Sequence, residues 1–237
     1  MPVAQAREGR TMKKRYSTVV FDLDGTLLNT LEDLTNAVNA ALRESGFPER
    51  TMPQVRTFVG NGVGMLMRRA LPAGFECDEE AYAEVLQAFK SHYSRHNNDT
   101  TQPYPGVMDM LRTLHKAGVR MAIVSNKNDP NVQALTQLHF AGLMDLAVGE
   151  REGMRRKPHP DALNQALQTL GETPEHALYV GDSGVDVWTA RNAGVRCASV
   201  CWGFHSAQEL RREGADTLIQ TPADLVALVL GEDSPTP

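Results

Sequence analysis

Five short apolar runs, Ser17 to Phe21, Val119 to Val124, Leu146 to Val148, Ala177 to Val180 and Val195 to Val200, constrain the fold more than anything else in the chain. Each is brief, rich in β-branched or aromatic residues, and bounded by polar or glycine-containing sequence, as buried strands are. Helical patterns lie between most of them, at Val107 to Ala117, Pro130 to Phe140, Pro160 to Leu170 and Gly184 to Asn192. Strands alternating with helices imply an α/β fold with a doubly wound parallel sheet. Such sheets bind ligands beyond the carboxyl ends of their strands, where the strand order reverses.

One interval breaks the alternation. From about Leu31 to Asn98 the periodicities are helical, through Ala37, Ala41 and Leu42, then Leu66 and Ala70, then Tyr82, Val85, Leu86 and Phe89. This reads as a helical insert between the first two strands, joined by flexible segments near Asn29-Thr30 and Asn97 to Pro105, which would let it act as a lid. The pattern leaves open a second reading, in which the helices are ordinary crossovers packed on the sheet. The expected division is a core of residues 16–30 and 99–231, a helical cap of 31–98, and polar tails at 1–15 and 232–237.

Composition narrows the partners. With 237 residues, 41% hydrophobic and 22% charged, the chain can bury a real core. Its net charge of -5 argues against nucleic acid, whose phosphates reward clustered Lys and Arg. No apolar stretch suggests a signal peptide or a membrane span. Cys77, Cys197 and Cys201 form neither an even set nor a Cys-x-x-Cys pair, which fits packing residues in a reducing, cytoplasmic setting. A monomer and a homodimer are both compatible with this.

The chemistry gathers where apolar runs stop. The first run delivers Asp22-Leu23-Asp24-Gly25-Thr26, two carboxylates two residues apart with a glycine that lets the backbone turn close to a ligand. Such a pair can supply a nucleophile and a separate proton donor. Gly181-Asp182-Ser183-Gly184-Val185-Asp186 places a second acidic cluster at the end of the fourth run. Two acidic strand ends can share a magnesium ion, which takes oxygen ligands and needs few from protein. Read alone, Asp182 is a helix N-cap. Ser125 and Asn126 end the second run and can donate to phosphoryl oxygens, while Lys157 stands before a helix and could neutralise phosphoryl charge.

Together, Asp22-x-Asp24-x-Thr26, Ser125, Lys157-Pro158 and Gly181-Asp182-x-x-x-Asp186 resemble the four motifs of the haloacid dehalogenase superfamily, over nearly the whole chain. Ser125-Asn126-Lys127, Thr189 to Gly194, Trp202-Gly203-Phe204 and Phe58 to Gly62 are similar to bacterial phosphoglycolate phosphatases. The resemblance implies a Rossmann-like core with an inserted helical cap. It implies Asp22 as nucleophile, Asp24 as acid and base, and Lys157 holding nucleophile and phosphate together. It further implies Thr26, Ser125 and Asn126 as phosphate-binding, and Mg2+ held by Asp22, the Asp24 carbonyl and Asp182, with Asp186 supporting through water. One departure is Asn29-Thr30, where many relatives carry Asp-Ser.

The activity expected is magnesium-dependent hydrolysis of a small phosphorylated metabolite, foremost 2-phosphoglycolate. The alternatives are a sugar-phosphate mutase, or a phosphatase or pyrophosphatase for another small substrate. Asp24 argues against dehalogenation, which needs no proton donor there. For the substrate carboxylate the candidates are Arg68, with Arg69 as its neighbour, and Lys127.

Overall fold

A computed structural model describes residues 14–72 and 79–231. The chain runs β1 (Thr18–Phe21), β2 (Leu28–Asn29), α1 (Leu31–Glu44), α2 (Met52–Arg56), α3 (Gly62–Ala70), α4 (Glu79–His96), β3 (Gln102–Pro103) and α5 (Val107–Lys116). It continues with β4 (Arg120–Asn128), α6 (Asp129–Phe140), β5 (Leu146–Glu150), α7 (Asp161–Leu170), β6 (Ala177–Gly181), α8 (Gly184–Asn192), β7 (Arg196–Val200), α9 (Ala207–Arg212), β8 (Leu218–Ile219) and α10 (Pro222–Leu230).

Six strands form one parallel sheet in the order β5-β4-β1-β6-β7-β8. All four residues of β1 are buried, so its sequence is a continuous apolar run rather than an alternating one, as expected for a strand covered on both faces. Alternation survives in the packing: Val19 and Phe21 join a cluster with Leu111, Leu114 and Leu225, and Val20 joins another with Leu163, Ala166 and Tyr179. The chain leaves β1 toward β4 and β5, then returns to its other side at β6. The reversal of strand order therefore lies beside the carboxyl end of β1, where a doubly wound sheet opens its ligand crevice.

Helices α1 to α4 surround a hydrophobic cluster of their own, built from Leu34, Val38, Leu42, Leu66, Met67, Val85 and Phe89. Leu34, Ala37, Val38, Ala41 and Leu42 give α1 its helical stripe. The joining segments, expected to be flexible, are instead tied together: β2 and β3 pair antiparallel, and Asp33 accepts hydrogen bonds from the backbone N–H and hydroxyl of both Thr100 and Thr101.

Several boundaries differ from those expected. β4 extends through Ser125 to Asn128: its ladder with β5 shifts register after Val124 and resumes at Asn128, opposite Glu150, so the residues read as a strand end form an irregular stretch within the strand. Lys14 and Arg15, assigned to the leading tail, are anchored: Lys14 Nζ donates to Gly118 O and the Arg15 N–H to Val229 O. The remainder of both tails, and Cys77, lie outside the described residues. Cys197 and Cys201 are half-buried free thiols rather than fully packed ones. Among the described residues no helix is long and apolar enough to cross a membrane.

Candidate active site

The carboxyl ends of β1, β4 and β6 bring Asp22, Ser125 and Asp182 to one place. The Asp22 N–H donates to Val180 O at 2.8 Å, carrying the β1–β6 pairing one residue past the strand. After Asp22 the chain turns at Gly25, whose φ of +80° favours glycine and whose Cβ, if present, would collide with the Asp182 carboxylate. A Cβ at Gly203 would meet the same carboxylate and Gly25 O. Two loops thus close on Asp182 at a distance that only glycine permits.

Asp182 is not an N-cap. Ser183 occupies that position for α8, in a reciprocal box with Asp186. Asp182 instead accepts from the Phe204 N–H at 2.7 Å and the Thr26 hydroxyl at 3.2 Å. Its carboxylate clusters with those of Asp22 and Asp186, offering ligand atoms within 4.8 Å of one another. Lys157 Nζ lies among them, 2.9 Å from Asp22 Oδ1 and 2.8 Å from Asp186 Oδ1, and donates to Tyr179 Oη at 3.0 Å.

The charge balance is uneven. Lys157 approaches Asp22 Oδ1 closely, but not in hydrogen-bonding geometry, so this oxygen is buried without a donor. Burial pushes the Asp22 carboxyl up to about 7; Lys157 pulls it down, while Asp186 and Asp182 push it further up. Burial also raises Asp182, and Asp186 adds to this, against the neighbouring His205 and the Phe204 N–H. An orphaned oxygen among three carboxylates is the donor set of a hard divalent cation, which oxygen ligands satisfy without His or Cys. The residues therefore fit magnesium.

Around this cluster is a partly open cavity of about 60 Å³. Its floor includes Asp22, Asp24, Ser125, Lys127, Lys157 and Asp182; its roof is the helical insert, through Leu34, Val59, Gly60, Val63, Leu66 and Tyr93. Lys127 Nζ donates to both oxygens of Asp24, at 2.8 and 2.9 Å, and to Tyr93 Oη at 2.6 Å. Burial opposes the charge on Lys127, but Asp24 and Tyr93 outweigh it and hold its pKa above the ordinary lysine value.

The family profile described as haloacid dehalogenase-like hydrolase matches residues 19–200. A Pseudomonas putida protein named phosphoglycolate phosphatase is 37% identical over 217 residues, 90% of this chain and 78% of its own. The chain belongs to the haloacid dehalogenase-like hydrolase family. A solved structure from Lactobacillus delbrueckii subsp. bulgaricus matches this hydrolase with a TM-score of 0.86 and 33% identity, over 92% of this chain and 100% of the other. CbbY from Rhodobacter sphaeroides, solved with phosphate, matches at 0.70 and 26%, over 89% and 96%.

Not every residue singled out in the sequence faces the cavity of this hydrolase. Thr26, expected on phosphate, is fully buried and spends its hydroxyl on Asp182. Asn126 lines the cavity, but its amide is committed: Nδ2 donates to Gly60 O and Lys157 O, and Oδ1 accepts from the Lys157 N–H. It fixes the Lys157 loop to β4 rather than offering a free donor to phosphate. Asp24 turns its carboxylate to Lys127, away from the three-carboxylate cluster. Arg68 points elsewhere, pairing with Glu79 at 3.2 Å and lying 4.0 Å over the Tyr82 ring. Arg69 holds Phe58 O and Asn61 Oδ1.

Sequence reasoning missed Tyr93 and His205. Tyr93 follows Phe89 by four residues and stacks on it at 5.4 Å, so its apolar spacing hides its polar end. His205 lies beside Asp182, whose carboxylate raises the imidazole's pKa. The Trp202-Gly203-Phe204 segment just before it was the available signal.

Proposed function

We propose that this hydrolase is a magnesium-dependent phosphatase acting on a small phosphate monoester, foremost 2-phosphoglycolate, through an aspartyl-phosphate on Asp22. The observation that carries the reading is the meeting of Asp22 and Asp182, 160 positions apart in the chain, with an unsatisfied Asp22 oxygen beside Lys157.

Asp22, the Asp24 backbone carbonyl and Asp182 would hold the magnesium ion, with Asp186 supporting it. The ion would supply charge neutralisation and alignment, the tasks that phosphoryl transfer leaves to a site. An Asp22 carboxylate oxygen attacks phosphorus in line with the ester oxygen. Asp24, protonated on the oxygen that Lys127 releases as substrate enters, gives that proton to the ester oxygen as the P–O bond breaks, then regains one from the water that attacks the phosphoenzyme, releasing phosphate and restoring Asp22. Lys157 neutralises charge on the nucleophile and the transferring group. The Ser125 hydroxyl, which lines the cavity, donates to a phosphoryl oxygen. Asn126 and Thr26 act at one remove, by placing Lys157 and Asp182.

The substrate assignment rests on two supports. The similar Pseudomonas putida protein is named phosphoglycolate phosphatase. The cavity is lined by both sheet and insert, so a phosphoryl group at Asp22 leaves its organic tail beside Tyr93 and Lys127. Lys127 is the cation placed for the carboxylate of that tail.

The deciding experiment compares kcat/KM for 2-phosphoglycolate, ethyl phosphate, pyrophosphate and glucose phosphates with magnesium present, and follows acid-quenched protein for a phosphoenzyme. The expected result is highest efficiency on 2-phosphoglycolate with a trapped phosphoenzyme. Isomerisation of a hexose phosphate without phosphate release would overturn the reading in favour of a mutase.

A further inference from the structure

Lys127 carries three N–H groups, and all are engaged: two on Asp24 and one on Tyr93. The ammonium is nearly sealed from solvent, with its side chain 3% exposed, yet it lines the cavity. Tyr93 reaches it from α4 in the helical insert, whereas Lys127 stands on β4 in the sheet. The Tyr93 oxygen accepts from Lys127, and its own proton has no acceptor among the described residues. Burial pushes the phenol up to about 12, so it remains a donor.

We propose that the Tyr93 hydroxyl and the Lys127 ammonium together form the receptor for a second anionic group on the substrate, a carboxylate about two carbons from the phosphate. Tyr93 is the specificity-determining residue that this adds. The proposal rests on the phosphatase reading and deepens it. A carboxylate entering the cavity takes the Tyr93 proton as one hydrogen bond and a Lys127 N–H as a second, drawing the ammonium away from one Asp24 oxygen. Because one donor comes from the insert and the other from the sheet, the receptor is complete only with the insert seated over the cavity. The Asn126 bond to Gly60 O, 3.0 Å long, ties the same two parts together. The selectivity follows from the donors: a tail without charge would leave a buried ammonium and a buried hydroxyl competing for nothing it offers.

The test uses the full chain with magnesium and two probes of equal carbon number, 2-phosphoglycolate and ethyl phosphate. One hydrogen bond to a charged group is worth about tenfold or somewhat more. Tyr93→Phe is expected to lower the ratio of kcat/KM for 2-phosphoglycolate over ethyl phosphate about tenfold, chiefly through KM, and Lys127→Met to lower it further. An equal loss on both probes assigns Tyr93 a structural role and overturns the receptor, as does an unchanged ratio. Melting curves for both variants show whether any uniform loss comes from unfolding. The same ratio is measured as binding to the Asp22→Asn protein by calorimetry. A preference for 2-phosphoglycolate there that Tyr93→Phe removes supports the receptor even where the wild type forms no phosphoenzyme, a result that would sink the mechanism alone.

Discussion

Asp22, where β1 ends, and Glu172, in the loop that packs beneath the start of β1, are two carboxylates that the fold withdraws from water, and their surroundings are opposite. Glu172 accepts from the hydroxyls of Ser17 and Thr18, the Thr173 N–H and the Arg120 guanidinium. Burial works against its charge, but these donors outweigh it and bring its pKa down to about 2. Asp22 is given one close cation, two neighbouring carboxylates and an oxygen with no hydrogen-bond donor, and its pKa rises to about 7. A carboxylate that holds strands together is supplied with donors; one that must take a cation and attack a phosphoryl group is left short of them.

The largest expected effect breaks this contrast at Asp22. Asp22→Asn should lower turnover by about four orders of magnitude or more, as loss of a nucleophile does, while leaving the metal-free protein at least as stable as before. Steady-state assays and melting curves in chelator check both halves. Turnover retained above a few per cent would remove Asp22 from the mechanism. Next in size, Asp182→Asn should weaken apparent magnesium affinity by at least roughly tenfold, read from the metal dependence of the rate. An unchanged metal dependence would place the cation elsewhere.

The two carboxylates also predict opposite pH slopes. Asp22 binds its proton more tightly folded than unfolded, so metal-free stability falls as pH rises from about 4 toward 7, and Asp22→Asn should flatten that fall. Glu172 binds its proton less tightly folded, so its contribution is present above about 4.5 and is lost as pH falls toward 2. Glu172→Gln should flatten that acid limb and cost about 2 kcal/mol near neutrality, the scale of hydrogen bonds to a charged group, with kcat changed less than twofold. A large loss of kcat at unaltered stability would mean that the two ends of the sheet are coupled.

The same contrast explains what could be read from the sequence. Strands β1 and β6 announce themselves because burial on both faces makes them nearly continuous apolar runs, β4 and β7 do so only over their buried stretches, and the acidic clusters stand out because they follow such runs. β8 has only two residues, Leu218 and Ile219, too few to show a period. Helix α10 has a legible start in Thr221-Pro222-Ala223-Asp224, a capping box with proline at its first turn, although no apolar period marks that opening. The site was legible as residue types at strand ends. What each donor is spent on was not, because hydrogen-bond partners such as Asn126 with Lys157, or Thr26 with Asp182, lie 31 and 156 positions apart.

Arg68 marks the smallest effect and the sharpest test of that limit. By type and position, a cation on an insert helix is as good a candidate for a substrate carboxylate as Lys127. Its surroundings separate the two. Lys127 is buried, triply hydrogen-bonded and on the cavity wall, whereas Arg68 is exposed, and its partner Glu79 is more exposed still. An exposed ion pair is worth between nothing and about 1 kcal/mol, and stacking over Tyr82 adds a similar small amount at the surface. Arg68→Ala should therefore change kcat/KM for 2-phosphoglycolate by less than twofold and stability by about 1 kcal/mol or less. A tenfold loss in kcat/KM at unchanged stability would mean that Arg68 leaves Glu79 and enters the cavity during turnover. The insert would then supply a charge of its own to the substrate, and burial in the closed arrangement would no longer distinguish residues that read the substrate from those that do not.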